Sequence, residues 1–192
     1  MFYTFAFNLI KCLIYVLNGK PIIKNKEDLP TGNYIMAAPH KTWWDPLYLA
    51  VAGLPKKYAF MAKKEIFKNK LFSWILKKVN VFPVDRENPG PSTIKIPVNY
   101  LKKTDLSLIM FPSGTRYSDE LKGGIALISK MAKVPIVPVV YEGPVKFTNL
   151  LKRQRVTIKI GKPIDIQDLR KMTPENISEV ERRINSEFKR LK

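Results

Sequence analysis

The sequence predicts an α/β fold: a mainly parallel sheet flanked by helices, behind an N-terminal amphipathic helix suited to a membrane interface. Three observations carry this. Short apolar runs alternate with amphipathic stretches from residue 20 onward, the pattern of strands joined by crossover helices. The first 17 residues are mostly apolar but carry a polar stripe. The balance of 34 Lys and Arg against 16 Asp and Glu gives a net charge of +18. With 45% hydrophobic residues the chain is no disordered basic tail. One cysteine excludes an internal disulfide framework, and one histidine excludes a multi-histidine metal site. A folded domain of this charge seeks a polyanion: nucleic acid, an anionic membrane, or an acidic substrate or carrier.

Each element follows from its residues. Met1 to Leu17 is too short to span a bilayer, which needs about 20 apolar residues, and it lacks the basic leader and small-residue cleavage site of a secretory signal. Thr4, Asn8, Lys11 and Asn18 fall on one narrow helical face, and the rest is a wide apolar surface. That surface fits a bilayer interface or a lid over the domain's own core, and the net charge favours the membrane. Tyr34–Ala38 reads as a buried strand ended by Pro39. Pro46–Gly53 is a short helix with proline at its start and glycine at its end. Lys57–Ala62 is a strand, Ile66–Lys78 an amphipathic helix and Val79–Val84 a strand. Ser92–Lys103 is helical despite Pro97, and Leu106–Phe111 is a continuous apolar strand. Lys122–Lys133 is a helix, Ile136–Val140 and Val156–Ile160 are strands, and Thr173-Pro174 starts the last helix. Ile177, Val180, Ile184, Phe188 and Leu191 form that helix's buried stripe. No repeat or linker interrupts the chain, so residues 1–19 read as a membrane-associating helix and 20–192 as one domain.

Four blocks carry chemistry. His40 directly follows the first predicted strand, in Ala38-Pro39-His40-Lys41-Thr42-Trp43-Trp44-Asp45-Pro46. Functional side chains in open α/β sheets gather at the carboxyl ends of strands. A turn that brings Asp45 to one imidazole nitrogen leaves the other as a general base; the same spacing also fits a structural histidine and a helix-capping aspartate. Phe111-Pro112-Ser113-Gly114-Thr115-Arg116 ends another strand in the same layer, and its small residues expose backbone N–H groups while Arg116 adds a fork for a phosphate. Ser113 invites a nucleophile reading, but the Gly-x-Ser-x-Gly elbow is absent. Val81 to Arg86 again delivers an arginine at a strand end, beside which Asp85 and Arg86 also fit a plain surface turn. Val134 to Val139 is a strand bracketed by prolines. Cys12 reads as a packed small residue, while Trp43 and Trp44 fit the wall of an apolar tunnel, an interfacial anchor or the core.

In their order and spacing the four blocks resemble the glycerolipid acyltransferase family, whose best-known members are bacterial 1-acylglycerol-3-phosphate acyltransferases. That family shows His-x4-Asp, an apolar block ending in arginine, Phe-Pro-Glu-Gly-Thr-Arg and a Val-Pro-Ile-Val-Pro-Val-like block. Lys63-Lys64-Glu65 and Lys122-Gly123 are similar to its minor signatures. The family usually has asparagine where this chain has Pro39, and glutamate where it has Ser113. The resemblance implies transfer of an acyl group from acyl-CoA or acyl carrier protein to the hydroxyl of a lysophospholipid. His40 and Asp45 are then catalytic. Arg116, Arg86, Lys63, Ser113, Gly114 and Thr115 are the substrate-binding candidates, with Arg116, Arg86 and Lys63 assigned to the acceptor phosphate. No cofactor or metal is implied. Such an enzyme sits peripherally or monotopically on the cytoplasmic face of the cell membrane, with anionic phospholipid as partner. Because the family's glutamate holds the acceptor's glycerol region, Ser113 leaves glycerol-3-phosphate or another lysophospholipid as alternative acceptors. A nucleic-acid-binding module is the rival of another class; the lysines are scattered and no nucleic-acid motif appears. A non-catalytic membrane-surface protein is a further rival.

Overall fold

A computed structural model describes residues 2–85, 88–114 and 121–192. Arg86, Thr115 and Arg116 lie outside the described residues. Seven strands among them form one sheet: β1 (Ile22–Lys24), β2 (Ile35–Ala37), β3 (Lys57–Lys63), β4 (Val81–Val84), β5 (Leu106–Met110), β6 (Ile136–Glu142) and β7 (Thr157–Ile160). Their spatial order is β1-β7-β6-β2-β5-β3-β4. The block β6-β2-β5-β3-β4 is parallel throughout, β7 runs antiparallel to β6, and β1 runs parallel to β7. The expected α/β architecture with a mainly parallel, helix-flanked sheet is therefore present.

Strand alternation divides the core. Met36, with Tyr34 and Ala38 beside it, packs into one apolar cluster, and Ile35 and Ala37 pack into another on the opposite face. The first cluster takes α1 (Phe2–Leu17) and α2 (Asp45–Gly53); the second takes α4 (Ser92–Lys103), α5 (Gly124–Ala132) and α7 (Pro174–Leu191). Helix α7 forms as its sequence directs. The Thr173 hydroxyl accepts the Asn176 N–H at 3.3 Å, Pro174 fills the first turn, and Val180, Ile184, Phe188 and Leu191 are buried.

Helix α1 is docked on the domain. Tyr3, Phe7 and Ile14 enter the first cluster, and the Tyr3 hydroxyl accepts the Tyr58 N–H at 3.0 Å. Asn18 departs from the expected polar face: it is buried, donates to the Leu150 and Gln154 carbonyls at 3.0 Å each, and accepts from the Tyr48 hydroxyl. An amide with this many partners stabilises the helix end better inside the fold than in water. Cys12 is exposed rather than packed, because the buried stripe of α1 falls on Tyr3, Phe7 and Ile14 instead.

The stretch expected as one helix over Ile66–Lys78 is broken. Lys64–Lys68 is a 3₁₀ turn, and α3 (Lys70–Lys78) starts afresh after Asn69. Asn69 is extended (φ −77°, ψ 121°), and its side chain accepts the Phe72 N–H at 3.0 Å, so a capping residue resets the helix. The three-residue β1 and the five-residue α6 (Phe147–Leu151) carry too little periodicity for sequence reading.

Candidate active site

The carboxyl ends of β2 and β5 lie side by side, Ala37 opposite Met110, so the loops that follow start as neighbours. One carries His40 and the other Phe111. Their rings stack with centroids 4.1 Å apart and planes at 25°. Sequence reading had treated Phe111 only as part of a block; nothing in a single sequence marks a ring as the wall behind a histidine.

Asp45 begins α2, at the helix end where the backbone dipole favours an anion. The loop wraps this fully buried carboxylate. Its Oδ2 accepts the Lys41 N–H at 2.6 Å and the Thr42 N–H at 2.8 Å, and its Oδ1 accepts the Thr42 hydroxyl. His40 Nδ1 lies 3.4 Å from the same Oδ2, and the His40 side chain is 15% exposed. This is the contact the five-residue spacing allows. The carboxylate is held from three sides independently of the histidine, so it orients Nδ1 and leaves Nε2 as the nitrogen that takes up a proton. The 3.4 Å separation is long for a hydrogen bond and suits a contact that tightens when the ring becomes positive.

Trp44 braces the loop from beneath. It is buried, and its indole N–H donates at 3.1 Å to the Tyr141 hydroxyl, which donates at 3.2 Å to the Pro144 carbonyl. Burial pushes the Tyr141 hydroxyl up to about 12, so the brace stays neutral at physiological pH. Trp43 is 62% exposed, its ring set edge-on to Trp44 with centroids 5.3 Å apart.

Beside His40 on the α1 face lies an apolar cavity of about 380 Å³, within the range of small-molecule pockets. Phe7 and Ile10 of α1, Trp43 and Leu47 of the site loop and α2, Phe72 of α3 and Phe111 line it. The Trp43 expectation of a tunnel wall fits this position, and Trp44 is the one in the core.

Lys63 ends β3 opposite Val84 of β4, at the same carboxyl edge as His40. Its ammonium is 3.8 Å from Glu65, and the neighbouring Lys64 pairs with Asp85 at 2.5 Å. Asp85 also accepts the Asn88 N–H at 3.0 Å. Ser113 is buried and Gly114 has φ +69°, a left-handed conformation that favours glycine. The Gly114 N–H donates to the Phe111 carbonyl at 2.9 Å, closing a tight turn. Of the backbone N–H groups that the small residues of this turn were expected to expose, that of Gly114 bonds within its own turn. Among the described residues, no group of three His, Cys, Asp or Glu side chains is placed to hold a metal ion.

An acyltransferase family model matches residues 20–142 of this chain. The chain is 52% identical to a 1-acyl-sn-glycerol-3-phosphate acyltransferase of Streptococcus pneumoniae, across all of this chain and 73% of that protein. The chain belongs to the acyltransferase family. A Bacillus subtilis protein of the same name is 40% identical, covering 98% of this chain and 96% of that one. The crystal structure of the lysophosphatidic acid acyltransferase PlsC from Thermotoga maritima shares the fold, with a TM-score of 0.66 at 22% identity over 97% of this chain and 79% of that one. The chain is an acyl-transferring enzyme, and the resemblance read from its four blocks holds.

Proposed function

We propose that this acyltransferase moves a fatty acyl group from a thioester to the free hydroxyl of 1-acylglycerol-3-phosphate, giving phosphatidic acid for phospholipid synthesis. The observation that carries the reading is the His40–Asp45 pair set between an apolar cavity and the cationic carboxyl edge of the sheet. The names of the similar Streptococcus and Bacillus proteins support the acceptor.

The chemistry follows from the groups present. A hydroxyl is a poor nucleophile near neutral pH. His40 Nε2 takes its proton as the oxygen attacks the thioester carbonyl, and Asp45 stabilises the imidazolium. The tetrahedral intermediate collapses with cleavage of the carbon–sulfur bond, and the imidazolium returns the proton to the departing thiolate. Both substrates are bound together, so orientation supplies much of the acceleration and no acyl-enzyme forms. The acyl chain lies in the cavity between α1, α3 and the sheet, where each buried methylene contributes about 0.8 kcal/mol. Lys63, with Arg86 and Arg116, holds the acceptor phosphate. Arg116→Ala is expected to raise the KM for a phosphate-bearing acceptor with little change in kcat; an unchanged KM in steady-state kinetics removes Arg116 from that role.

The same helices that line the cavity face outward with apolar side chains. Phe2, Phe5, Leu9, Leu13 and Val16 of α1 are exposed, as are Leu71, Phe72, Trp74 and Ile75 of α3. Phe2 and Trp74 join the two rows, ring centroids 5.9 Å apart. Lys78 lies 5.7 Å from the Trp74 ring centroid. Among the described residues, no helix is long and apolar enough to cross a membrane. We therefore place residues 1–19, with α3, in the interface of an anionic bilayer and residues 20–192 above it, on the cytoplasmic side where thioester donors are made. Binding to anionic liposomes is expected to weaken with salt, since charge attraction is screened within about 10 Å at 0.1 M, yet to persist in part through the apolar faces. Flotation checks this, and binding abolished by salt removes the apolar contribution.

Ser113 in place of the family's glutamate favours one alternative, an acceptor with a different glycerol headgroup. A panel of 1-acylglycerol-3-phosphate, glycerol-3-phosphate and neutral-headgroup lysophospholipids tests it. The highest kcat/KM is expected for 1-acylglycerol-3-phosphate, and a higher value for another acceptor reassigns the substrate.

A further inference from the structure

A second pocket lies across the site loop from the apolar cavity, on the α7 side, with a volume of about 230 Å³. Pro39 and Lys41 of the His40 loop and Ser113 of the Phe111 turn line it, with Asn185, Lys189 and Lys192 of the C-terminal segment among the other lining residues. No Asp or Glu side chain lines it among the described residues. Two acidic groups of α7 are occupied elsewhere: Glu179 pairs with Arg182 and Arg183, and Glu187 with Arg190, each at 2.8 Å. No ion pair among the described residues neutralises the ammonium groups of Lys41, Lys189 or Lys192, and all three residues are exposed.

We infer that this pocket binds the phosphate of the thioester carrier, the phosphopantetheine phosphate that coenzyme A and acyl carrier protein share. The inference rests on the acyl-transfer reading above. Two anionic substrates must occupy the site together, and they repel if they share one set of cations. The sheet edge supplies two sets, one on each side of the His40 and Phe111 loops. Lys63 and Lys64 stand at the end of β3, towards β4 and α3, on the flank of the apolar surface. Lys41, Lys189 and Lys192 stand on the α7 side, and α7 packs against β6, which lies across β2 and β5 from β3. The acceptor is a lipid and arrives from the apolar flank. The carrier is water-soluble. With its acyl chain in the cavity and its carbonyl at His40, the pantetheine arm leaves on the opposite side, along Pro39 and Ser113 and towards the lysines. Ammonium groups recognise phosphate as point charges, and each supplies charge-assisted hydrogen bonds.

The test uses the full chain, with Lys189→Ala/Lys192→Ala and Lys41→Ala as variants. Calorimetric titration with 4′-phosphopantetheine, pantetheine and glycerol-3-phosphate reads binding without turnover. The wild type is expected to bind 4′-phosphopantetheine about tenfold more tightly than pantetheine, and the double variant to lose most of that preference. In kinetics the double variant raises the donor KM about tenfold and leaves the acceptor KM in place. Running acyl-CoA and acyl carrier protein donors separately identifies the carrier whose phosphate the pocket holds. A retained preference with an unchanged donor KM overturns the inference, as does a rise confined to the acceptor KM. A wild type that binds phosphopantetheine but acylates no acceptor overturns the acyl-transfer reading and leaves the pocket standing.

Discussion

Replacing His40 with alanine is expected to lower acyl transfer by about 10²–10⁴-fold, the usual contribution of a positioned general base. The fold should survive. The side chain is small and partly exposed, and its principal packing contact is the stacked Phe111 ring. Losing that contact costs about 1 kcal/mol, which for a chain of this size lowers Tm by about 2–4 °C. Asp45 keeps its three other donors, so the loop retains its shape. Initial rates with a radiolabelled donor, together with thermal melts, check both halves. A folded variant with most of its transfer intact would remove His40 from the chemistry.

The second large effect is expected at Asp45. Asn preserves the volume but offers one acceptor oxygen and an NH₂ group where the carboxylate offered two acceptors. The Lys41 and Thr42 N–H groups and the Thr42 hydroxyl demand acceptors. The oxygen that stays with the two backbone donors is also the one that faces His40 Nδ1, and the NH₂ falls on the Thr42 hydroxyl, which turns to accept it. The tautomer is then kept, but the imidazolium loses the negative charge that stabilises it. A kcat lowered by about 10–10³-fold follows, the effect of one opposite charge on the basicity of its neighbour. Both KM values change little, because neither substrate touches this buried group. Asp45→Ala orphans the donors instead, at about 1–3 kcal/mol for each one left dry, and should chiefly destabilise the fold. Asp45→Asn with unimpaired kcat would make Asp45 a helix cap alone.

Much of the fold was legible because crossover helices and buried parallel strands leave strong local patterns. The β2, β5 and β6 runs are almost wholly apolar, as strands covered on both faces must be. What escaped was short or depended on a single polar residue. Asn69 reset a helix through one hydrogen bond, and Asn18 left its expected polar face for three hydrogen-bond partners inside the fold and at its edge. In the site, the His40–Asp45 contact was readable because both residues sit on one loop within five positions. The Phe111 wall, the Trp44–Tyr141 brace and both pockets were not. Each joins residues distant in sequence, and only the strand order β6-β2-β5-β3 makes them neighbours. The net charge was ambiguous in composition. The structure resolves lysines into groups with different settings: those of α3 beside exposed apolar residues, Lys63 and Lys64 beside carboxylates, and Lys41, Lys189 and Lys192 around a pocket.

The most direct measurement follows the label from an acyl thioester incubated with the purified chain, with and without 1-acylglycerol-3-phosphate. Direct attack by a hydroxyl activated by His40 predicts label in phosphatidic acid only when the acceptor is present, and none on the protein. Label retained on the protein in the absence of acceptor, at Ser113 or Cys12, or no phosphatidic acid with either donor, would show that the reaction proceeds in another way.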